Sequence, residues 1–139
     1  MKKSLFIFLS ILISCGHGNE LTITDRITNK TNLNVTLIFK EGNIVIPSFT
    51  LKPEENHEFK FSNEGHSIFI NNQAFDSVRF VFADGKEKVD TSLFAKTKVN
   101  PNEIKNILDT KFYKIHSTSH STQLNEYYID SLDYKEANL

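Results

Sequence analysis

Alternation of apolar and polar residues is the feature that most constrains the fold of this 139-residue chain. In residues 33–39, LNVTLIF, every second side chain is large and apolar. Residues 21–28 repeat the pattern, with Leu21, Ile23 and Ile27 separated by polar positions. Because successive side chains of a strand point to opposite faces, a period of two predicts strands with one buried face.

Short polar segments separate the strand-like stretches. Residues 29–32 (NKTN), 41–43 (EGN) and 52–56 (KPEEN) have the composition of turns, and Pro47 indicates an edge or the end of a strand. Short strands about 8 to 12 residues apart, with turns between them, are typical of sandwiches. The sequence therefore predicts an all-β fold, an antiparallel β-sandwich.

Two hairpins are predicted in the second half of the chain. The first spans residues 77–89 and turns at Asp84-Gly85, because these residue types tolerate the positive φ of a tight turn. The second joins residues 112–115 to residues 126–132 across the polar stretch HSTSHSTQLN, residues 116–125, which we predict to be a loop.

One short helix is predicted over residues 101–109. Asn100 is a capping residue, Pro101 suits the first helical position, and Glu103 is placed to complete a capping box. Its apolar face consists of residues at helical spacing: Ile104, Ile107 and Leu108.

The first 14 residues have the organisation of a secretory signal peptide. Lys2 and Lys3 precede an apolar run over residues 4–14, which is shorter than the roughly 20 residues that span a bilayer. The run ends at Cys15, the single cysteine of the chain. An exported protein with one cysteine has no intramolecular disulfide partner for it, so the residue needs another explanation.

Residues 12–15, Leu-Ile-Ser-Cys, resemble a bacterial lipobox. This resemblance implies cleavage before Cys15 and attachment of a diacylglycerol to its thiol, with residues 15–20 as a lipidated tether and residues 21–139 as the folded domain. Two or three acyl chains make membrane anchoring stable. Gly16, where inner-membrane lipoproteins carry aspartate, resembles an outer-membrane signal. Surface-exposed lipoproteins of the Bacteroidetes type often carry several acids just after the cysteine, whereas residues 16–20 contain one, Glu20, which implies the periplasmic face. The alternative is an ordinary secretory signal that happens to lie beside a cysteine.

The second half of the chain resembles a group of small Bacteroidetes envelope lipoproteins. The segments that carry the resemblance are FDSVRFVFADGK (75–86), NILDTKFYKI (106–115) and EYYIDSLDYKEA (126–137). No activity is associated with this group, so the resemblance implies an envelope lipoprotein and no catalytic residue. The chain lacks cysteines that some members carry before the tyrosine strand. The matching positions are Asp76, Ser77, Val78, Asp84, Gly85, Lys86, Tyr113, Tyr128, Asp133, Tyr134 and Ala137.

The net charge of the chain does not favour binding to nucleic acid. Without Lys2 and Lys3, 14 of the 16 basic residues remain against 17 acidic residues, a net charge of −3. Proteins that bind nucleic acid through its phosphates carry a basic surface instead. We therefore expect a membrane and an envelope protein as partners, and no nucleic acid.

His116 and His120 are the candidate metal ligands. They lie four residues apart, with Glu126 as the nearest possible third ligand, whereas zinc needs four ligands or three and a water. The alternative is a solvated polar loop, and we expect no metal and no cofactor. No nucleophile elbow or phosphate-binding loop is present in the sequence, so no catalytic residue is predicted.

All four tyrosines lie in the last quarter of the chain: Tyr113, Tyr127, Tyr128 and Tyr134. They could form an aromatic contact surface for a partner. The alternative is structural, because adjacent Tyr127 and Tyr128 must point to opposite faces of a strand. We favour the structural interpretation.

These observations predict a non-enzymatic binding or structural module anchored in the cell envelope. One alternative is a periplasmic inhibitor, immunity-type protein or secretion-machine accessory that presents residues 116–125 as a projecting loop. The other is a small metal-assisted hydrolase that uses His116 and His120.

Overall fold

The computed structural model describes residues 21–45, 47–63, 75–92, 104–119 and 121–138. They form nine strands in two packed sheets, which confirms the predicted sandwich. The predicted signal peptide, the predicted tether with Cys15, and His120 lie outside the described residues. The strands are β1 Leu21–Asn29, β2 Val35–Glu41, β3 Ile44–Val45, β4 Phe49–Leu51, β5 Asn56–Asn63, β6 Ser77–Phe82, β7 Glu87–Thr91, β8 Lys114–Ser119 and β9 Thr122–Ile129.

The first sheet has the order β5-β1-β9-β8, and the second has the order β3-β2-β6-β7, with β4 also paired to β2. All pairs are antiparallel except β1 with β9, which are parallel at the centre of the first sheet. The strands β3 and β4 share one edge of β2, and Pro47 lies between them, as its missing N–H predicts.

The core forms between the inner faces because each strand contributes alternate residues to it. Val35, Leu37 and Phe39 of β2 are buried, and the outward positions of that strand are more exposed. The first sheet contributes in the same way, which confirms the predicted alternation. The largest fully buried side chains are Tyr127, Phe39, Phe80, Phe82, Ile23, Ile27, Leu37, Ile107, Ile129, Val35 and Val78.

The predicted hairpin between β6 and β7 is confirmed. Gly85 has φ +90° in its turn, a conformation that side chains with a Cβ rarely adopt. Asp84 Oδ1 accepts the backbone N–H of Lys86 across the turn.

Ring contacts define how the two sheets are aligned. Phe49 of β4 stacks on His57 near the start of β5, with centroids 4.1 Å apart. Further towards the C-terminal ends of β2 and β5, Phe39 contacts Phe59 at 5.9 Å. These two strands therefore run in the same direction. Because β1 is antiparallel to β5, the C-terminal end of β2 lies at the same end of the sandwich as Leu21.

The predicted helix over residues 101–109 is wrong for residues 104–109, which form an extended segment and a turn. Residues 101–103 lie outside the described residues. Side chains replace the helical hydrogen bonds here: Asp90 Oδ2 accepts from Ile107 N at 2.8 Å, and Asn106 Oδ1 accepts from Leu108 N at 2.8 Å. A 3-10 turn, Thr110–Phe112, follows.

A short helix, α1, forms instead at Ser131–Glu136, directly after β9. Asp130 caps it and Asp133 completes a capping box, which the sequence analysis did not use. In the described ranges, no helix has the length and apolar character needed to cross a membrane.

The predicted polar loop over residues 116–125 is also wrong, because most of it is strand. The two strands β8 and β9 form the predicted closing hairpin, but they extend to Ser119 and Thr122. Backbone groups of residues 122–125 pair with β1 as well, so the sheet satisfies them although the side chains are polar.

Candidate functional site: a polar sheet face above a buried charge network

A network of charged side chains lies buried between α1, β7 and the segment over residues 104–109. Its centre is Asp133, which is fully buried. Asp133 Oδ1 accepts from Lys88 Nζ at 2.7 Å and from the Tyr127 hydroxyl at 2.7 Å. Asp133 Oδ2 accepts from Lys105 Nζ at 2.7 Å. Both carboxylate oxygens are therefore saturated by donors, as a buried charge requires.

Each lysine has further partners. Lys88 Nζ also lies 3.2 Å from Asp90 Oδ1 and 3.0 Å from Glu136 Oε2. Burial alone would lower the pKa of Lys88, but the carboxylates of Asp133 and Asp90 outweigh burial and raise it. Lys105 Nζ lies 3.0 Å from Asp130 Oδ2 and donates to the carbonyl oxygen of Tyr128. The network thus joins α1 to both sheets.

Asp90 is the acid of the network whose pKa is raised. It is 3 % exposed and shares Lys88 with two other carboxylates. Burial raises the pKa of Asp90 to about 6, against an ordinary value of 3.8, and the neighbouring lysine only partly opposes this. Below about pH 6 the folded protein therefore holds a proton on Asp90 that the unfolded chain holds only below 3.8.

We expect Asp90→Asn to change how stability depends on pH. Because the folded-state pKa of Asp90 is raised, its contribution is most favourable below 3.8 and is lost as the pH rises through about 6. The wild type minus variant difference in unfolding free energy should therefore fall by roughly 2 to 3 kcal/mol between about pH 4 and pH 7. Urea unfolding followed by circular dichroism measures it, and a difference that stays constant with pH would contradict the assignment.

The outer face of the first sheet carries an ordered ladder of ionic side chains. We call this surface, formed by outward residues of β5, β1, β9 and β8, the outer face. Arg26 donates to Glu58 Oε1 at 2.7 Å on one side and to Glu126 Oε1 at 3.1 Å on the other. Lys60 Nζ lies 3.1 Å from Glu58 Oε2. Arg26 and Lys60 together lower the pKa of Glu58.

His116 and Tyr128 extend this ladder towards β8. His116 Nε2 lies 3.2 Å from Glu126 Oε2, and the Tyr128 hydroxyl donates to the same oxygen at 2.9 Å. Burial would raise the pKa of Glu126, but hydrogen bonds from Tyr128 and Arg26 outweigh it and lower the pKa. Lys114 lies above the Tyr128 ring, with Nζ 5.3 Å from the centroid.

A shallow depression of about 220 Å³ lies beside Arg26 on the outer face. Three threonines contribute hydroxyl groups to its lining. Its shape and hydroxyl lining suit a polar side chain of a partner. The lining residues are Thr22, Thr24, Arg26, Glu58, Lys60, Thr122, Gln123 and Leu124.

Of the two candidate metal ligands, His116 is among the described residues and His120 is not. His116 lies on strand β8 and is exposed, and its partner Glu126 is already engaged by Arg26 and Tyr128. Among the described residues, no three histidine, cysteine or carboxylate side chains are grouped to hold a metal ion.

The four tyrosines separate into a buried pair and a solvent-accessible pair. Tyr113 and Tyr127 are buried, with ring centroids 5.4 Å apart, so these two rings offer no surface to a partner and agree with the favoured structural interpretation. Tyr128 lies on the outer face. Tyr134 is half-buried on α1 and donates to Asp84 Oδ2 at 2.7 Å. The opposite directions predicted for Tyr127 and Tyr128 are confirmed.

Several positions that carry the family resemblance meet at α1. Tyr134 packs its ring against Phe82 and under Lys86 Nζ, which is 4.3 Å from the ring centroid. Its hydrogen bond to Asp84 lowers the pKa of that carboxyl group. The Asp-Gly-Lys turn and the Asp-Tyr pair of α1 thus hold the C-terminal helix against the hairpin, which is a structural role.

Sequence reasoning missed the charge network and the ladder on the outer face. One signal for the network was available: Lys88 and Asp90 occupy the inward positions of β7, whereas Val89 points outward and is 52 % exposed. Charged residues at the positions of a strand that point into the core indicate buried ion pairs. No comparable signal identified Arg26, because its partners are distant in sequence.

Comparisons with protein-family models, with curated proteins and with solved structures found no significant match to this chain.

Proposed function

We propose that this chain is a non-enzymatic binding module of a bacterial cell envelope, anchored through Cys15 and presenting its outer face to a protein partner. The observation that carries the proposal is the ladder on the outer face. Arg26 is held between two carboxylates before any partner arrives, so a complex would lose less side-chain entropy there. Such preorganised charges favour specificity and fast association.

The anchor part of the proposal rests on the sequence. The apolar run, the small Ser14 and the single Cys15 stand in the register of a lipobox. Lipidation explains why an exported chain carries one cysteine. We place the domain at the outer membrane because Gly16 follows the cysteine, and on its periplasmic face because residues 16–20 contain a single acid.

Cys15→Ala is expected to release the protein from the membrane. Two or three acyl chains anchor a protein stably, and the variant has no thiol to receive them. Fractionation of cells should recover the unaltered protein with membranes and the variant in the soluble fraction or as uncleaved precursor. Mass spectrometry of the unaltered protein should show the acyl mass on Cys15. An unmodified Cys15, or membrane recovery of a Cys15→Ala form whose signal peptide has been removed, would contradict the anchor.

The binding part is tested by affinity capture from solubilised membranes with the lipidated protein as bait. We expect Arg26→Ala to lose a stoichiometric partner, because it removes the centre of the ladder. Arg79→Ala is the matched control, since Arg79 is an exposed arginine on the opposite sheet. Equal capture by both variants would reject the outer face as the binding site.

The identity of the captured partner separates the two remaining alternatives. An enzyme as partner would indicate an inhibitor or immunity-type protein. A component of a secretion machine would indicate an accessory protein of that machine. The projecting loop that the sequence suggested for such a role is the β8–β9 hairpin. The outer face, which includes part of this hairpin, is the surface we assign to that contact.

A further inference from the structure

The hairpin that joins β2 to β3 ends in exposed aliphatic side chains. We call residues 41–45 the hairpin tip. Ile44 is 65 % exposed and Val45 is 62 % exposed, although adjacent residues of a strand point to opposite faces. Both side chains are exposed to solvent because β3 pairs only with Lys40 and Glu41, at the C-terminal end of β2. Two neighbouring aliphatic residues exposed on both faces of a projecting turn suit an apolar environment.

The hairpin tip lies at the end of the sandwich from which the tether leaves. The strand β2 runs towards the end of the sandwich at which Leu21 begins β1. Two ring contacts show this direction, Phe49 with His57 and Phe39 with Phe59. The turn at residues 42–43 lies beyond the last residue of β2, and Ile44 and Val45 pair back with Glu41 and Lys40 at that same end.

The chain between Leu21 and the anchor is short. Six residue steps separate Cys15 from Leu21, and each extended step spans at most about 3.6 Å, so the lipidated residue is within roughly 20 Å of the end of β1. The end that carries the hairpin tip therefore stays close to the membrane in the anchored protein, whereas α1, after β9, lies at the opposite end.

We propose that Ile44 and Val45 of the hairpin tip insert into the headgroup region of the phospholipid bilayer that holds the lipid of Cys15. The inference rests on the proposed anchor. Apolar contact provides the attraction, because Lys40 is offset by Glu41 and Asp76, whose carboxylate accepts the N–H of Gly42. The contact therefore needs no anionic lipid. It orients the long axis of the sandwich away from the membrane and leaves the outer face accessible from the side.

The chain contains no tryptophan, so a single introduced tryptophan reports on its own surroundings. Val45→Trp labels the hairpin tip. Leu132→Trp is the matched control, because Leu132 is an aliphatic residue, 44 % exposed, on α1 at the opposite end. Both variants are purified with their native lipid and placed in phosphatidylcholine vesicles with brominated acyl chains.

We expect brominated lipid to reduce the emission of Val45→Trp about twofold and to leave Leu132→Trp unchanged, since apolar side chains at an interface are buried only about 5 to 10 Å into the boundary between headgroups and acyl chains. Added phosphatidylglycerol should not change this result. An acyl mass missing from Cys15 in the same preparation would overturn both the anchor and the hairpin contact. Unquenched emission from anchored Val45→Trp, or equal quenching of both variants, would overturn the hairpin contact alone and point to a protein covering the hairpin tip.

Discussion

Asp133→Asn is expected to lower the free energy of unfolding by about 3 to 5 kcal/mol, because it leaves two buried lysines without their shared counter-charge. Lys88 and Lys105 are 4 % and 8 % exposed in their side chains and both donate to Asp133. Asparagine keeps the shape of the side chain, so the loss measures charge rather than packing. The Tyr127 hydroxyl, which donates to Asp133 Oδ1, could still form a hydrogen bond with the amide group of the introduced asparagine.

Urea unfolding followed by circular dichroism measures this loss, and Asp109→Asn is the matched control. Asp109 also pairs with a lysine, Lys111 at 3.4 Å, but that lysine side chain is 52 % exposed. Exposed pairs contribute about 0 to 1 kcal/mol, so the control should change little. Equal effects of the two substitutions would show that Asp133 is not the centre of a buried network.

A second substitution separates the charge effect from general damage to α1. In Asp133→Asn with Lys88→Met, one of the two lysines that lose a counter-charge is removed, so the double variant should be less destabilised than the sum of the two single variants. Coupling of this kind is expected only between residues that share one network. Additive losses would instead indicate that each substitution acts independently.

Local patterns predicted the strands because the physical cause of each strand is local. Alternation in residues 33–39 requires one buried face, and β2 buries Val35, Leu37 and Phe39. Asp84-Gly85 favours a tight hairpin turn, and β6 and β7 pair on either side of this turn. In each case the residues that determine the element lie within it, so no distant contact had to be known.

The two wrong predictions have a common cause, which is competition from distant partners. Asn100, Pro101 and Glu103 are good helix-starting residues, yet residues 104–109 are not helical because Asp90 and Glu136 accept the N–H groups of Ile107 and Lys105. Likewise, residues 116–125 have a loop composition, but pairing with β1 makes residues 122–125 a strand. Local propensity is a small free energy that tertiary hydrogen bonds override.

The sites were less predictable than the fold because their members are far apart in sequence. Asp133 meets Lys88 across 45 residues, and Arg26 meets Glu126 across 100. The second contact depends on the parallel pairing of β1 with β9, which joins the first strand of the domain to the last. Periodicity assigns a side chain to a face, but it does not identify the strand that will lie beside it.

Phe39→Ala should be the most damaging substitution among the apolar residues at the contact between the two sheets, with a loss of about 3 to 5 kcal/mol. The Phe39 ring is 2 % exposed and lies 5.8 Å from the Phe49 ring, 5.9 Å from Phe59 and 5.1 Å from Phe75. The removal of this ring leaves a cavity bordered by aromatic rings of both sheets. Edge and stacking contacts add to the loss of buried area, since such pairs contribute about 0.5 to 1.5 kcal/mol each.

Val89→Ala is the control for Phe39→Ala, because Val89 points outward from β7 and is 52 % exposed. Its loss should stay within about 0.5 kcal/mol. Phe39→Leu should fall between the two, since leucine refills part of the cavity without restoring the ring contacts. The graded order tests the sandwich itself: if Phe39→Ala and Val89→Ala unfolded at the same urea concentration, β2 and β5 would not be packed through this ring. The alignment that brings the hairpin tip to the Leu21 end would then lose its basis.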